Sequence, residues 1–368
     1  MEEEVKQSVL TFYCDRIQQH GWEEIILRDE ATGFKATIIP SAGAILNKLE
    51  VPHNGKIINI IDGFKDADDW KANFTPAFSG AKLSPFVCRL NNSTYSWEGQ
   101  QYTTGKFFMN GHAIHGLLYD VEHEIAIAEA SAFMCECKFL YRYKGTDPGY
   151  PFAFDMNIRY RLEGGCRLTI ITTVHNRSGR TIPMSDGWHP YFKLGETIDT
   201  ASLQINARKQ VEFNDALVPT GKLIRNKKWF KGTPLKDVVL DNSFVLDMEE
   251  PMPHCTLSDE QLGLELYIYP DRAYPYLQVY TPDHRKSIAI ENLSSPPDSF
   301  NNKMGLIELG PEDSQAFQTR YRIAKMEKKE VKKGFWAKLF SKASIDRPRP
   351  TAWHTFRSAS PVASSNCG

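Results

Sequence analysis

The feature that most constrains the fold is a two-residue alternation of side-chain character between residues 152 and 174. Apolar side chains occupy nearly all the even positions from Phe152 to Leu162, and most of the odd positions between them are polar or charged. Because successive side chains of a β-strand point to opposite faces, this pattern predicts a strand with one buried face. A Glu-Gly-Gly turn at residues 163–165 precedes a second alternating run at residues 168–174. The segment therefore predicts a long antiparallel hairpin.

The same period dominates most of the chain. Strand patterns bounded by proline, glycine or aspartate occur at residues 35–39, 133–143, 263–269, 276–280 and 287–291. Neither an internal repeat nor a shift in composition divides residues 20–323. We therefore expect an all-β fold, with one large domain of antiparallel sheets over residues 22–324.

The two ends of the chain differ from this domain. Apolar residues at helical spacing predict an amphipathic helix at residues 5–19, within an N-terminal extension of residues 1–21. Residues 325–368 are expected to form a basic, flexible C-terminal tail, because five lysines fall between residues 325 and 333. Apolar residues at helical spacing in the run 334–340 leave open a short helix that touches a membrane surface or a partner.

Composition narrows the class of protein. Forty-four Lys and Arg residues nearly balance 45 Asp and Glu residues, so no global field would hold the chain on nucleic acid or on an anionic membrane. No apolar run approaches the roughly 18 residues of a membrane span, and the acidic start lacks a secretory signal. The seven cysteines are scattered and odd in number, which is typical of reduced thiols. We expect a cytoplasmic protein.

A glycine-flanked loop at residues 110–116 carries two histidines, His112 and His115. Glycines let side chains and backbone approach a small ligand closely. The H-x-x-H spacing has no nearby third ligand of the kind found in zinc-binding helices, so a metal site is not predicted. The pattern alone leaves open a hydrogen-bonding site or an ordinary loop.

A third histidine, His189, lies between aromatic rings in the segment Trp188-His189-Pro190-Tyr191. Aromatic walls fit the apolar face of a sugar ring, and partial burial tunes the pKa of an imidazole for proton transfer. A core histidine packed by its aromatic neighbours is an equally good interpretation of this segment.

Two carboxylates are further candidates. Glu291 alternates with Ile288 and Ile290, so it points away from the face of these isoleucines, either as a base in a cleft or as a solvated residue. Asp241 precedes a strand and fits a simple side-chain turn. Nucleophilic-hydrolase, P-loop and dinucleotide-binding motifs are missing from the sequence, and we expect neither a nucleotide cofactor nor a metal.

The order of these motifs along the chain resembles the aldose 1-epimerase (galactose mutarotase) family. The segments that carry the resemblance are Cys88-Arg89-Leu90-Asn91-Asn92, His115-Gly116, Trp188-His189-Pro190-Tyr191-Phe192, Leu240-Asp241-Asn242-Ser243-Phe244 and Glu291-Asn292. The likeness spans residues 22–323. It implies a β-supersandwich, which is an assembly of large twisted antiparallel sheets with an open sugar cleft.

The resemblance also implies residue roles. Glu291 matches the general base of the family and His189 its general acid, and no metal or redox cofactor is required. The expected activity is the interconversion of α and β anomers of a free aldose of the galactose or glucose type, by a monomer or homodimer. Five residues are candidates for sugar contacts: Arg89, His115, Asp241, Trp188 and His112.

Some positions depart from the commoner family pattern. Cys88 and His112 stand where many members have asparagine, and Trp188 and Pro190 stand where asparagine and serine are usual. These changes bear on which sugar is preferred more than on the reaction. Trp188 in particular would add stacking against a ring face.

Three other functions stay open at this point. A carbohydrate-binding protein on the same scaffold would need no matched acid and base. A mutarotase of hexose 6-phosphates would need a cationic cluster, for which Arg89 and Lys82 are candidates. A glycoside hydrolase would ordinarily need two carboxylates, such as Glu291 and Asp241.

Overall fold

The computed structural model of the chain describes residues 11–250 and 252–326. The first strands and the one long helix of this part are β1 (Phe12–Gln19), β2 (Trp22–Asp29), β3 (Phe34–Ile39), β4 (Ile45–His53), β5 (Lys56–Asn59), α1 (Ala67–Ala77), β6 (Ala81–Leu83), β7 (Arg89–Leu90), β8 (Thr94–Trp97), β9 (Gln100–Thr103), β10 (Phe108–Met109), β11 (His112–Ile114), β12 (Glu124–Ala130), β13 (Met134–Tyr143), β14 (Phe154–Glu163) and β15 (Arg167–Asn176).

The second half continues the series of strands and adds one short helix. Its elements are β16 (Ile182–Met184), β17 (Gly187–His189), β18 (Tyr191–Phe192), β19 (Ala201–Ile205), β20 (Lys209–Phe213), β21 (Pro219–Arg225), β22 (Thr233–Pro234), β23 (Asp241–Val245), β24 (Cys255–Asp259), β25 (Leu264–Pro270), β26 (Tyr276–Tyr280), β27 (Ile288–Leu293), α2 (Ser299–Asn302), β28 (Ile307–Leu309) and β29 (Ser314–Lys325). Three 3-10 turns lie at Asn91–Ser93, Ile198–Thr200 and Trp229–Lys231.

Three large antiparallel sheets make up the fold. A five-stranded sheet has the order β1-β2-β3-β4-β5, and a nine-stranded sheet has the order β12-β13-β14-β15-β29-β25-β24-β19-β22. An eight-stranded sheet has the order β21-β20-β23-β26-β27-β17-β6, with β18 pairing onto β27. Small sheets join β10, β11 and β7, β8 with β9, and β16 with β28.

The hairpin predicted from the alternating pattern is confirmed. β14 pairs with β15 along ten residues, from Phe154 opposite Asn176 to Glu163 opposite Arg167. The even-numbered apolar side chains of β14 are fully buried, as are Leu168 and Val174 of β15. Burial of one face fixes the register, because a slip of one residue would expose every one of these side chains.

The inner face of the nine-stranded sheet contacts both other large sheets. The hydroxyl of Tyr160 on β14 donates a 2.7 Å hydrogen bond to the carbonyl of Ala44, between β3 and β4. The Tyr160 ring meets Trp188 of the eight-stranded sheet at 6.1 Å, and Phe192 meets Tyr321 at 5.3 Å. These contacts form a core between large sheets, and the fold is the all-β supersandwich that was predicted.

The helix predicted at residues 5–19 is wrong for the part that the structure describes. Residues 12–19 form β1, which pairs with β2 from Phe12 opposite Asp29 to Gln19 opposite Trp22. His20 and Gly21 between the strands both have positive φ, 55° and 80°. Two such residues form the tight turn whose twist suits a hairpin, and the pairing outweighs a weak local helical spacing. Residues 1–10 lie outside the described residues.

The C-terminal boundary falls at the end of the last strand. β29 runs to Lys325, one residue past the predicted end of the domain. The predicted basic tail and its short helix at residues 334–340 lie outside the described residues beyond Met326. Neither helix in the described part of the chain has the length and apolar content that a membrane span requires.

Candidate active site

A cavity of about 610 Å³ opens on one face of the eight-stranded sheet. This volume lies within the range of small-molecule sites. Four consecutive strands of the sheet, β23, β26, β27 and β17, each place an ionisable or amide side chain in the cavity wall. In that order, these side chains are Asp241, Gln278, Glu291 and His189.

Strand register explains why the first three of these residues share a face. Gln278 lies opposite Glu291 on one side and opposite Ser243 on the other. Asp241 is two residues before Ser243, and residues two apart in a strand point to the same face. The side-chain amide of Gln278 donates a 2.7 Å hydrogen bond to Oδ1 of Asp241. This bond holds the carboxylate against the sheet.

The same register brings His189 to Glu291. The two residues face each other across β17 and β27, since the pairs on either side keep one register: Gly187 with Leu293 and Tyr191 with Ala289. Nε2 of His189 lies 3.3 Å from Oε1 of Glu291. The two side chains are 7% and 3% exposed, so this contact occurs almost without water. Nδ1 of His189 has no hydrogen-bond partner among the described residues.

Burial shifts the pKa values of this pair in opposite directions. It lowers the pKa of His189 to about 4, because the imidazolium loses its hydration. It raises the pKa of Glu291 well above its usual range, and the nearby Asp241 carboxylate raises it further. Both shifts favour the uncharged forms. We therefore expect the pair, as two coupled groups in contact, to hold one proton over a wide pH range.

Cys88 contacts the other oxygen of the same carboxylate. Its Sγ lies 3.8 Å from Oε2 of Glu291, and the thiol is a weak donor toward it. Burial, with the charges of Glu291 and Asp241, raises the pKa of Cys88 well above its usual range. The residue therefore stays a thiol and acts as a donor instead of a nucleophile.

Arg89 reaches across the cavity from β7. Its Nη1 donates a 2.9 Å hydrogen bond to the carbonyl of Ala216, in the loop between β20 and β21. No carboxylate of the described residues lies within ion-pair distance of the guanidinium. Arg89 is the one arginine or lysine among the described residues that line this cavity. It can therefore offer its remaining donors to a ligand hydroxyl.

The glycine-flanked loop brings both of its histidines to the cavity. The ring of His115 meets that of His189 edge-on, with 5.0 Å between centroids. Burial lowers the pKa of His115 well below its usual range, and the charges of His189 and Arg89 add to the effect. His115 is therefore a neutral donor or acceptor, and its buried Nδ1 has no hydrogen-bond partner in the part of the chain that the structure describes. Nδ1 of His112 accepts a 3.0 Å hydrogen bond from the backbone of Asn92, which leaves Nε2 for a ligand.

The prediction that Trp188 stacks on a sugar ring is wrong. Trp188 precedes His189 in the same strand and therefore points to the opposite face. Its side chain is buried in the core against Tyr160, and it does not line the cavity. Lys82, opposite Trp188 in β6, lies on that same inner face and pairs with the buried Asp186. Lys82 is therefore no candidate for binding a ligand in the cavity.

Sequence reasoning missed several residues of the wall. Gln278 stands out, because it bridges Asp241 and the strand of Glu291. Tyr191, which stacks on the His189 ring at 5.1 Å between centroids, is another. The alternation in β26 indicates which side of the strand Gln278 occupies. Only the pairing of β26 with β27 indicates that this side faces Glu291.

Comparisons with known proteins identify the family of the chain. The sequence fits the aldose 1-epimerase family over residues 24–322. The chain belongs to the aldose 1-epimerase family. This match covers nearly all the described strands, including those that carry His189 and Glu291.

Individual relatives of the family are distant. An aldose 1-epimerase of Streptococcus thermophilus is 27% identical over 189 residues, which are 50% of this chain and 53% of that protein. An uncharacterized Escherichia coli protein, YihR, is 25% identical over 243 residues, which are 63% of this chain and 75% of that protein. Among solved structures, a galactose mutarotase-like protein of Clostridium acetobutylicum superposes with a TM-score of 0.76 at 19% identity, over 86% of this chain and 99% of that one. These relatives support the family and the fold.

Proposed function

We propose that this member of the aldose 1-epimerase family interconverts the α and β anomers of a free aldohexose of the galactose or glucose type. The observation that carries the proposal is the 3.3 Å contact between Nε2 of His189 and Oε1 of Glu291 inside a cavity of sugar size. Mutarotation needs a base at one oxygen of the hemiacetal carbon and an acid at the other. Because both oxygens are bonded to the same carbon, the two groups must lie side by side.

In the proposed reaction, Glu291 removes the proton from the C1 hydroxyl while His189 gives a proton to the ring oxygen. The C1–O5 bond breaks, and the open aldehyde rotates about C1–C2. The ring then closes on the other face of C1, and both protons return. The buried pair favours uncharged Glu291 and His189, which are the forms that exist during the open-chain stage. Each positioned acid or base typically contributes about 10²- to 10⁴-fold.

The remaining polar groups orient the ring. Arg89, His115 and Asp241 offer donors or acceptors to sugar hydroxyls at the cavity wall. A ring held so that O5 faces His189 reacts faster than one that tumbles, because its orientation costs no further entropy. His112 offers one more nitrogen at the edge of the cavity.

Polarimetry of freshly dissolved α-D-galactose and α-D-glucose tests the proposal. We expect Glu291→Gln to lower the enzymatic rate by at least about 10²-fold, since it removes the base. Glu308→Gln, an exposed glutamate on β28, is the matched control and should keep the parent rate. A parent with no activity above the buffer rate would favour a carbohydrate-binding protein. A Glu291→Gln variant as fast as the parent would contradict the assigned base.

The alternatives have less support. A hexose 6-phosphate substrate would need a cationic cluster, and Arg89 is the one Arg or Lys among the described wall residues, with Lys82 on the other face. We therefore expect galactose to be used at least tenfold more efficiently than its 6-phosphate. A hydrolase would use Glu291 and Asp241 as its carboxylates. Here Glu291 contacts His189 and Cys88, and the Asp241 carboxylate accepts a hydrogen bond from Gln278.

A further inference from the structure

A second pocket lies far from this site, on the outer face of the nine-stranded sheet. It has a volume of about 460 Å³ and is lined by Gly164, Gly165, Arg167, Tyr269, Arg320 and Arg322. Arg167, Arg320 and Arg322 define what we call the arginine pocket. They come from β15 and β29, which are neighbours in the sheet.

Strand register places like charges against each other in the arginine pocket. Arg167 lies directly opposite Arg322, and Arg320 is two residues along the same face. Like charges opposite each other in a sheet are destabilising. Arg322 also lies over the ring of Tyr267, 5.8 Å from its centroid, but this contact does not neutralise the charge of the guanidinium. The cluster therefore favours a ligand of opposite charge.

These arginines also lack the carboxylates that other arginines of this sheet have. Ion pairs hold Arg142 to Glu124, Arg159 and Arg161 to Glu136, and Arg177 to Asp155. Among the described residues, no carboxylate oxygen lies within 4.0 Å of the three guanidinium groups of the arginine pocket. Glu163 lies opposite Arg167 in β14, but its carboxylate accepts a hydrogen bond from Thr169 instead.

Local contacts orient two of the guanidinium groups through Nε and leave their terminal nitrogens available to a ligand. Nε of Arg167 donates a 2.7 Å hydrogen bond to the carbonyl of Gly164, and Nε of Arg320 donates a 3.2 Å bond to Oγ1 of Thr169. The terminal nitrogens of both groups have no partner among the described residues. The hydroxyl of Tyr269 is a further donor at the wall of the pocket.

We propose that Arg167, Arg320 and Arg322 bind the phosphate dianion, either as free phosphate or as the phosphate group of a small ester. The planar fork of a guanidinium matches two phosphate oxygens, which is why arginine is favoured in phosphate sites. The two negative charges of the dianion offset most of the positive charge of the three groups, and so reduce the repulsion between Arg167 and Arg322. The site is independent of the sugar cavity and of the proposed isomerase activity.

Calorimetric titration of the full chain with sodium phosphate at low ionic strength tests the site. The Arg320→Gln/Arg322→Gln variant should bind phosphate at least tenfold more weakly for each arginine removed, since a charged hydrogen bond is lost each time. Arg142→Gln, on the same sheet but paired with Glu124, is the matched control and should bind like the parent. Arg89→Gln should also bind like the parent, because Arg89 lies in the other cavity.

Two further measurements complete the test. One distinguishes free phosphate from a phosphate ester, and the other shows whether the double variant is folded. Glucose 6-phosphate that binds tenfold tighter than phosphate to the parent, and loses that binding in the double variant, identifies an ester in the arginine pocket; the reverse order identifies free phosphate. Without phosphate, the double variant should melt close to the parent, because the relief of like-charge repulsion offsets the lost Arg320–Thr169 hydrogen bond and the lost contact of Arg322 with the Tyr267 ring. Phosphate should raise the melting temperature of the parent only. Equal loss of binding in Arg142→Gln, or loss in Arg89→Gln alone, would overturn the proposal.

Discussion

Sγ of Cys88 lies 3.8 Å from Oε2 of Glu291, on the oxygen that His189 does not contact. The carboxylate therefore has an imidazole at one oxygen and a thiol at the other. The thiol hydrogen bond lowers the pKa of Glu291, against the stronger effects of burial and of Asp241. Cys88 is thus the residue that moderates the basicity of the assigned base.

Cys88→Ala removes this donor without adding charge. The pKa of Glu291 should rise further, so the alkaline limb of the pH–rate profile should move to higher pH. Cys88→Asn, which introduces the residue that many family members have, supplies a stronger donor and should move the limb to lower pH. Polarimetric pH profiles of kcat/KM check both directions. If the alkaline limb moved the same way in both variants, the hydrogen bond from Cys88 would not control the pKa of Glu291.

The pH dependence of the parent follows from the shared proton. Below about pH 4 the pair of His189 and Glu291 gains a second proton, and no base remains. Above the raised pKa of Glu291 the pair loses its only proton, and no acid remains. We expect a bell-shaped profile with a broad maximum between these limits.

Asp241→Asn tests the charge effect within that profile. Asp241 raises the pKa of Glu291, so its neutral replacement should move the alkaline limb to lower pH. The acid limb should stay near pH 4, because burial is what lowers the pKa of His189. The KM for the sugar should also rise because a sugar contact is lost, but a higher KM does not move either limb of the pH–rate profile. An unmoved alkaline limb would show that Asp241 does not act on Glu291.

A buried ion pair contacts β17, the strand that carries His189. Nζ of Lys82 contacts Asp186 and donates to the carbonyl of Gly187, and the hydroxyl of Tyr274 donates to the same Asp186 oxygen at 2.6 Å. Lys82→Met leaves Asp186 buried and short of a partner, and should lower the free energy of unfolding by about 3–5 kcal/mol.

Lys193→Met is the control for this change. Lys193 forms a half-exposed pair with Asp62, and its loss should cost less than about 1 kcal/mol. Lys82→Met/Asp186→Asn removes both charges and should lose less than the sum of the single variants. Denaturant unfolding of the parent and of four variants, the Asp186→Asn single variant included, measures these differences. Equal losses for the Lys82 and Lys193 variants would contradict a buried structural pair.

The corrected position of Trp188 makes a separate prediction. Trp188→Phe shrinks a core side chain that packs on Tyr160, and should lower the free energy of unfolding by about 0.5–3 kcal/mol. KM for galactose should change by less than about twofold, because Trp188 does not line the cavity. A tenfold rise in KM with unchanged stability would instead indicate the stacking role that the sequence suggested.

Local patterns predicted the parts of this molecule that depend on neighbouring residues in the chain. The alternation at residues 152–174 predicted the β14–β15 hairpin because one face of that hairpin is buried. A similar alternation at residues 287–291 placed Glu291 and the isoleucines of β27 on opposite faces. The family motifs then indicated that the face of Glu291 carries the candidate catalytic side chains.

Non-local pairing explains what the sequence left out or misassigned. The helical spacing at residues 5–19 gave no sign that residues 12–19 pair with β2. Trp188 and His189 point to opposite faces, and adjacent aromatic residues did not reveal which face is the cavity. Gln278 was missed because its role depends on lying opposite Glu291 in the next strand.

A crystal structure of the Glu291→Gln variant with bound galactose is the sharpest test of the roles proposed for Glu291 and His189. The side chain at position 291 should lie within hydrogen-bond distance of the C1 hydroxyl, and Nε2 of His189 within hydrogen-bond distance of the ring oxygen. A sugar bound in the cavity with its C1 end directed away from both residues would contradict the proposed acid and base.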